Sequence, residues 1–161
     1  MTLRSDAKAL IGALKAKGLT MSAAESCTGG MIGCSITSEP GSSEVFLGSA
    51  VTYSNESKET ILGVKSSTLA EHGAVSEETA REMVLGSVRV YCSDLAVAVT
   101  GIAGPGGATP DKPVGLVYIA VADGPRTIVS RNVFKGDRQS VREQTASEAM
   151  RMLRELAEGR L

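Results

Sequence analysis

Two serines, a tyrosine and a lysine fall within one stretch, GSSEVFLGSAVTYSNESK from Gly41 to Lys58, and these residue types can carry out acyl transfer. Ser42 or Ser43 offers a hydroxyl nucleophile, Lys58 offers a base if its amine is neutral, and Tyr53 offers a second group able to pass a proton. The Ser54-Asn55 pair is a helix N-cap signal, which puts Lys58 in the first turn of a helix, where the positive end of the dipole disfavours an ammonium. Between serines and lysine, Val45, Leu47, Ser49, Val51 and Tyr53 recur at the two-residue period of a strand, with Phe46, Gly48, Ala50 and Thr52 opposite them. Neither face is built for water, so the stretch predicts a central strand. A plain turn at Gly41 to Ser43 and a solvated Lys58 fit the same residues, and the spacing leaves both readings open.

The rest of the composition narrows the chemistry. A Ser-His-Asp triad would have to use the single histidine, His72, which stands just before Gly73 at what reads as a helix C-terminus. The three cysteines, Cys27, Cys34 and Cys92, form an odd count without metal-ligand spacing and read as reduced thiols. A Cys27 nucleophile would lack any base but His72. No cluster of histidines or carboxylates suggests a metal, so none is expected.

Length and charge bound the partners. The 161 residues, 42% hydrophobic and 22% charged, suit one well-buried domain, 1–161. A net charge of -1 with no run of Lys or Arg argues against nucleic acid. No segment has the roughly 20 apolar residues of a membrane span, and MTLRSDAKAL lacks a signal-peptide core, so a cytoplasmic protein is expected. A homo-oligomer is left open.

The elements that must position these groups follow in order. Ala7, Leu10, Ile11 and Leu14 make the apolar stripe of a first helix stopped by Gly18. Leu19 to Ala24 reads as a strand entering Glu25-Ser26-Cys27-Thr28-Gly29-Gly30, with a helix through Met31, Ile32 and Ile36 behind it, a unit able to hold an anion. An ordinary tight turn fits the Thr-Gly-Gly equally. Glu56 to Leu62 and Ser67 to His72 predict short helices, and Ser76 caps a longer one whose apolar face runs from Ala80 to Tyr91. The apolar strand Leu95 to Val99 enters a second Gly-rich loop, Thr100 to Gly107, placed where α/β sheets bind ligands. That loop lacks P-loop and dinucleotide spacing, so neither ATP nor NAD is expected as a cofactor. Val114 to Ala122 and Thr127 to Phe134 predict a hairpin, and the last helix starts at Asp137. The order predicts a three-layer α/β/α sandwich around a mixed central sheet.

Six stretches taken together carry a family resemblance: AESCTGG at Ala24 to Gly30, PGSS at Pro40 to Ser43 followed by VTYSNESK, HGAVSEETA at His72 to Ala80, TGIAGPGG at Thr100 to Gly107, KPVGLVY at Lys112 to Tyr118, and FKGDR at Phe134 to Arg138. Over nearly its whole length the chain resembles the C-terminal domain of the competence/damage-inducible CinA family. That resemblance implies a nicotinamide-nucleotide amidohydrolase, which converts nicotinamide mononucleotide to nicotinate mononucleotide and ammonia without metal or cofactor. Longer members add a domain similar to molybdopterin-binding proteins, and this sequence looks like the stand-alone form.

The family's Ser/Lys dyad, carried over, falls on Lys58 and Ser43, with Ser42 the alternative nucleophile. Tyr53 would pass a proton to the leaving amine or hold Lys58 in place, and a core tyrosine fits it as well. Substrate contacts are expected from Glu25, Ser26, Thr28, Gly29, Gly30, Ser42, Thr100 and Gly101. Arg138 would reach the phosphate, or pair on the surface. The rival from another class is a non-catalytic nucleotide-sensing or interaction module linked to competence or DNA damage.

Overall fold

The computed structural model describes residues 2–161. Among them the chain forms helices α1 (Leu3–Lys17), α2 (Met31–Thr37), α3 (Asn55–Leu62), α4 (Ser66–His72), α5 (Glu77–Tyr91) and α6 (Arg138–Ala157). The strands are β1 (Met21–Glu25), β2 (Phe46–Val51), β3 (Leu95–Gly101), β4 (Leu116–Asp123) and β5 (Arg126–Val133). They make one mixed sheet in the order β2-β1-β3-β4-β5, with β2, β1 and β3 parallel and β4 and β5 antiparallel additions.

The two faces of the sheet are chemically different, and this sets the layers. Leu95, Val97 and Val99 of β3, with Val117, Ile119 and Val121 of β4, pack against α1, α2 and α6. The alternate residues Ala96, Ala98, Ala120 and Ala122 face α3, α4 and α5. Alanines on that face let α5 lie close to the sheet, and each face buries enough apolar area to hold its helices. The result is the expected three-layer sandwich.

The stretch from Val45 to Tyr53 differs from its expectation. It forms the edge strand β2 rather than a central one, with Leu47, Val51 and Tyr53 exposed. Its face assignment also changes partway along. Met21 pairs with Phe46 but Ser22 pairs with Gly48, so Leu47 is an extra residue in the ladder. Such a bulge reverses which face every later side chain meets. Phe46 therefore packs with the α1/α2 layer, whereas Ala50 joins the α5 layer. An even two-residue alternation read from sequence does not contain that slip.

Helix α3, which carries Lys58, is held at both ends. Ser54 caps its start by accepting from the Ser57 N–H at 3.1 Å, and Arg89 of α5 donates to the Leu62 carbonyl at 2.7 Å near its end. Gly86 of α5 lies against this last turn. A Cβ at that position would overlap the Leu62 carbonyl oxygen and come within 2.9 Å of Leu62 Cβ. Gly86→Ala should therefore cost about 1–3 kcal/mol of overpacking, more than the roughly 1 kcal/mol that alanine gains as a helix former. Thermal unfolding followed by circular dichroism should give a Tm lower by a few degrees. A variant as stable as the parent would mean that α3 and α5 are not in this close contact.

Candidate functional site

The three parallel strands end on the same edge of the sheet, and the loops that leave them converge there. β1 leads to Ser26, β2 to Thr52 and Tyr53, and β3 ends at Gly101. Carboxyl ends of parallel strands are the usual ligand edge of an α/β sheet. A cavity of about 190 Å³ opens there, walled by Ser26, Cys27, Tyr53, Lys58, Thr100 and Arg138 among others. A larger cavity of about 740 Å³ lies between the start of α1 and α6. Its walls carry no lysine or histidine beside a hydroxyl, so the smaller cavity is the candidate site.

Lys58 is the chemically unusual group. Its side chain is 1% exposed, and its Nζ lies 2.7 Å from the Thr52 carbonyl, 3.4 Å from the Tyr53 carbonyl and 3.0 Å from Ser26 Oγ. Burial lowers its pKa to about 8, against a smaller opposing pull from neighbouring Cys27. The position at the start of α3 acts in the same direction as burial. A neutral amine has two N–H donors and one lone pair. The charged amine donates to Ser26 Oγ as well as to the two carbonyls; once it is neutral, the carbonyls keep the two donors and the lone pair is left for the Ser26 hydroxyl proton.

Ser43, the nucleophile expected from sequence, is not near this amine. It is exposed on a 3-10 turn, Ser42–Glu44, ahead of β2, and Ser42 is tucked into that same turn. Lys58 follows the other end of β2. Six extended residues separate the ends by about 20 Å. The hydroxyl that meets Lys58 is Ser26, which was expected only to touch substrate. The resemblance carries the family's dyad onto the serine pair in the same stretch as Lys58. A signal for Ser26 was nevertheless present, because it directly follows a buried strand and precedes a glycine pair at a strand-to-helix turn.

The loop of Thr28, Gly29 and Gly30, read as a unit able to hold an anion, has a carboxylate of the chain itself beside it. Glu25 is fully buried at the end of β1, and its carboxylate already occupies the amide groups around the start of α2. Oε2 accepts from Thr28 Oγ1 at 2.7 Å, Gly30 N at 3.1 Å and Ile32 N at 3.0 Å. Oε1 accepts from Gly33 N and Ser49 Oγ, each at 2.9 Å. An internal anion thus stands where an external one was expected. Thr28 and Glu25 are fully buried, and neither lines the cavity.

The remaining expected residues do reach the cavity. Thr100 and Gly101 line it, with Thr100 Oγ1 donating to the Ala74 carbonyl at 2.7 Å. Tyr53 is 63% exposed at the mouth, and its hydroxyl accepts from Arg138 Nη2 at 3.1 Å. It is the Tyr53 carbonyl, not the hydroxyl, that holds Lys58. Arg138 also donates to the Gly104 carbonyl at 2.9 Å, bridging the mouth from α6 to the second Gly-rich loop. Cys27 lies in the wall, and burial pushes its thiol up to about 11, so it is protonated near neutral pH and a poor nucleophile. Among the described residues, no group of three or more His, Cys, Asp or Glu is arranged to hold a metal ion, and no helix is long and apolar enough to cross a membrane. Sequence reading passed over Arg142, one helical turn beyond Arg138 on α6. It donates to the carbonyls of Cys27 and Thr28.

Fold and site together define an α/β domain with a buried lysine amine on a serine hydroxyl at the carboxyl edge of its parallel strands. The chain belongs to the CinA C-terminal domain family, whose model matches residues 4–157. It is 53% identical over 141 residues to a CinA-like protein of Citrifermentans bemidjiense, covering 88% of this chain and 34% of that one. It is 46% identical to a CinA-like protein of Thermotoga maritima over 147 residues, covering 91% of this chain and 36% of the other. The chain thus spans about a third of the length of these curated relatives. A CinA superfamily protein from Klebsiella pneumoniae superposes with a TM-score of 0.96 at 32% identity, covering 99% of both chains. The competence/damage-inducible protein CihA of Agrobacterium tumefaciens superposes with a TM-score of 0.91 at 40% identity, covering 94% of this chain and 93% of that one.

Proposed function

We propose that this chain is an amidohydrolase that removes ammonia from the carboxamide of nicotinamide mononucleotide, with Ser26 as nucleophile and Lys58 as its base. The observation that carries the reading is the buried Lys58 amine 3.0 Å from Ser26 Oγ, with two carbonyls taking its N–H groups. A serine without a histidine needs another base, and a lysine held neutral by burial can serve. With a pKa near 8, about a tenth of Lys58 is neutral at pH 7, against less than a thousandth for a free lysine.

The steps balance without a further reactant than water. Lys58 takes the Ser26 proton as Oγ attacks the carboxamide carbon. The protonated amine then gives that proton to the leaving nitrogen, ammonia departs, and an acyl ester remains on Ser26. Water, deprotonated by the same amine, hydrolyses the ester to the carboxylate and restores the serine.

The mouth of the cavity supports a phosphorylated, ring-bearing substrate. At about 190 Å³ the site is smaller than the roughly 300–1,000 Å³ of ordinary small-molecule pockets. The Arg138–Tyr53 contact across the mouth has to part for a nucleotide to enter. Arg138 then exchanges a phenol oxygen for a phosphate, a stronger partner for a guanidinium. The exposed Tyr53 ring offers a flat wall to the pyridine. Arg138→Ala should raise KM for nicotinamide mononucleotide about tenfold or more and change kcat little, while leaving hydrolysis of the unphosphorylated riboside unaffected. Equal losses on both substrates would remove the phosphate role.

The test of the reading is ammonia release from nicotinamide mononucleotide by the purified protein, with and without a chelator. Turnover in both conditions is expected. Tight binding of the nucleotide with no ammonia released would instead favour the sensing-module reading.

A further inference from the structure

We propose that Glu25 and Arg142 form a two-sided clamp on the loop that carries Ser26, and that both are positioning residues for the Ser26–Lys58 pair; this inference rests on the amidohydrolase reading of the site. The loop from Ser26 to Gly30 exposes donors in one direction and acceptors in the other. Glu25 takes the donors, through Thr28 Oγ1 at 2.7 Å and Gly30 N at 3.1 Å. Arg142 takes the acceptors, through Nε to the Cys27 carbonyl at 3.2 Å and Nη2 to the Thr28 carbonyl at 2.9 Å. The two groups meet the loop from β1 and from α6, two elements far apart in sequence.

The loop needs such a clamp because of its own composition. Gly29 and Gly30 have φ values of 59° and 98°, in the left-handed region where glycine is at ease and also most free to move. Outside the loop, Ser26 is anchored by its N–H to the Val99 carbonyl at 3.1 Å and by its hydroxyl on Lys58, and its carbonyl accepts only from Gly29 N–H of the loop itself at 3.1 Å. A displacement of about 1 Å at a reacting atom can cost on the order of a hundredfold in rate. Glu25 is anchored in turn by Gly33 N and Ser49 Oγ on the body of the fold, and Arg142 by Gln139 Oε1 at 3.1 Å. A forked guanidinium suits the task, since its rigid plane reaches the two adjacent carbonyls through separate nitrogens.

The test compares Arg142→Met, Arg142→Lys and Glu25→Gln with the parent, using three readouts. These are ammonia release from nicotinamide mononucleotide, the rate at which a phosphonofluoridate labels Ser26, and hydrogen exchange of the backbone amides from Ser26 to Met31. Ser26→Ala serves as the unlabelled control. In Arg142→Met, kcat and the labelling rate should both fall about 10- to 100-fold, with KM within about threefold. Exchange in the loop should quicken and Tm should change little, because Arg142 is only half-buried. Arg142→Lys should fall between. Glu25→Gln, which turns one acceptor oxygen into a donor facing donors, should act in the same direction. The midpoint of the pH–rate profile should not move in the Arg142 variants, since the burial of Lys58 is untouched.

Parent-like labelling and exchange in Arg142→Met would overturn the clamp, and so would a rise in KM at constant kcat, which would make Arg142 a substrate contact. Loss of labelling only in step with a large fall in Tm would reduce it to a general stabiliser. A parent protein that labels at Ser26 but releases no ammonia would sink the substrate reading and leave the clamp to be judged on labelling and exchange. A parent that does not label at all would count against an activated Ser26 and against the clamp with it.

Discussion

Ser26→Ala should lower ammonia release from nicotinamide mononucleotide by about three orders of magnitude or more while leaving nucleotide affinity within roughly tenfold, because a nucleophile acts in the covalent step rather than in ground-state binding. The substitution removes one oxygen from a buried wall of the cavity and leaves Lys58 with its two carbonyl partners. The fold should therefore persist, with Tm close to the parent's. Ser43→Ala is the matched control. Ser43 is exposed on a turn at the other end of β2, so its loss should change activity by no more than about twofold, as is usual for surface positions. A dead Ser43→Ala beside an active Ser26→Ala would return the nucleophile to the position expected from sequence.

Lys58→Arg should be nearly inactive, with kcat down about 100-fold or more, because an arginine keeps the charge but cannot accept the serine proton. The pH profile gives the sign independently. Burial depresses the lysine pKa to about 8, so the neutral, basic form is scarce below that pH and dominates above it. kcat/KM should rise as pH increases through about 8 and level off beyond. Were Lys58 instead a fixed cation gripping phosphate, the working form would be the ammonium. Activity would then fall through the same pH, Lys58→Arg would retain much of it, and Lys58→Met would mainly raise KM. The two accounts predict opposite slopes. Because Lys58 is buried, Tm of each variant has to be measured beside the rates to separate loss of a base from loss of the fold.

The layers and most elements were legible in the sequence because they follow from local signals. Ser54 and Ser76 cap their helices, Gly18 and Gly63 end theirs, and the continuous apolar run of β3 matches its burial on both faces. Lys58 was legible for a related reason, since a cap signal fixes how far into the helix it lies. The partner of Lys58 was not legible. Ser26 and Lys58 are 32 residues apart, and their contact depends on β1 and β2 running parallel with their carboxyl ends side by side, which is a property of topology.

The misreading of the Thr28 to Gly30 loop has a different cause. A glycine-rich turn before a helix offers amides to any anion, and its composition does not say whether that anion is a ligand or the protein's own carboxylate. Here Glu25 fills the place. The edge position of β2 was hidden because its residues are apolar on both sides, a pattern that usually marks a central strand, and because the bulge at Leu47 leaves no signature in an apolar run.

The central claim is that Ser26 carries the acyl group, and peptide mapping of an acid-quenched reaction tests it most directly. Protein mixed with excess nicotinamide mononucleotide, stopped within the first turnovers and digested, should show the acyl ester on the peptide containing Ser26, absent from Ser26→Ala and from protein without substrate. An ester found on the peptide containing Ser42 and Ser43, or a thioester on Cys27, would contradict the account.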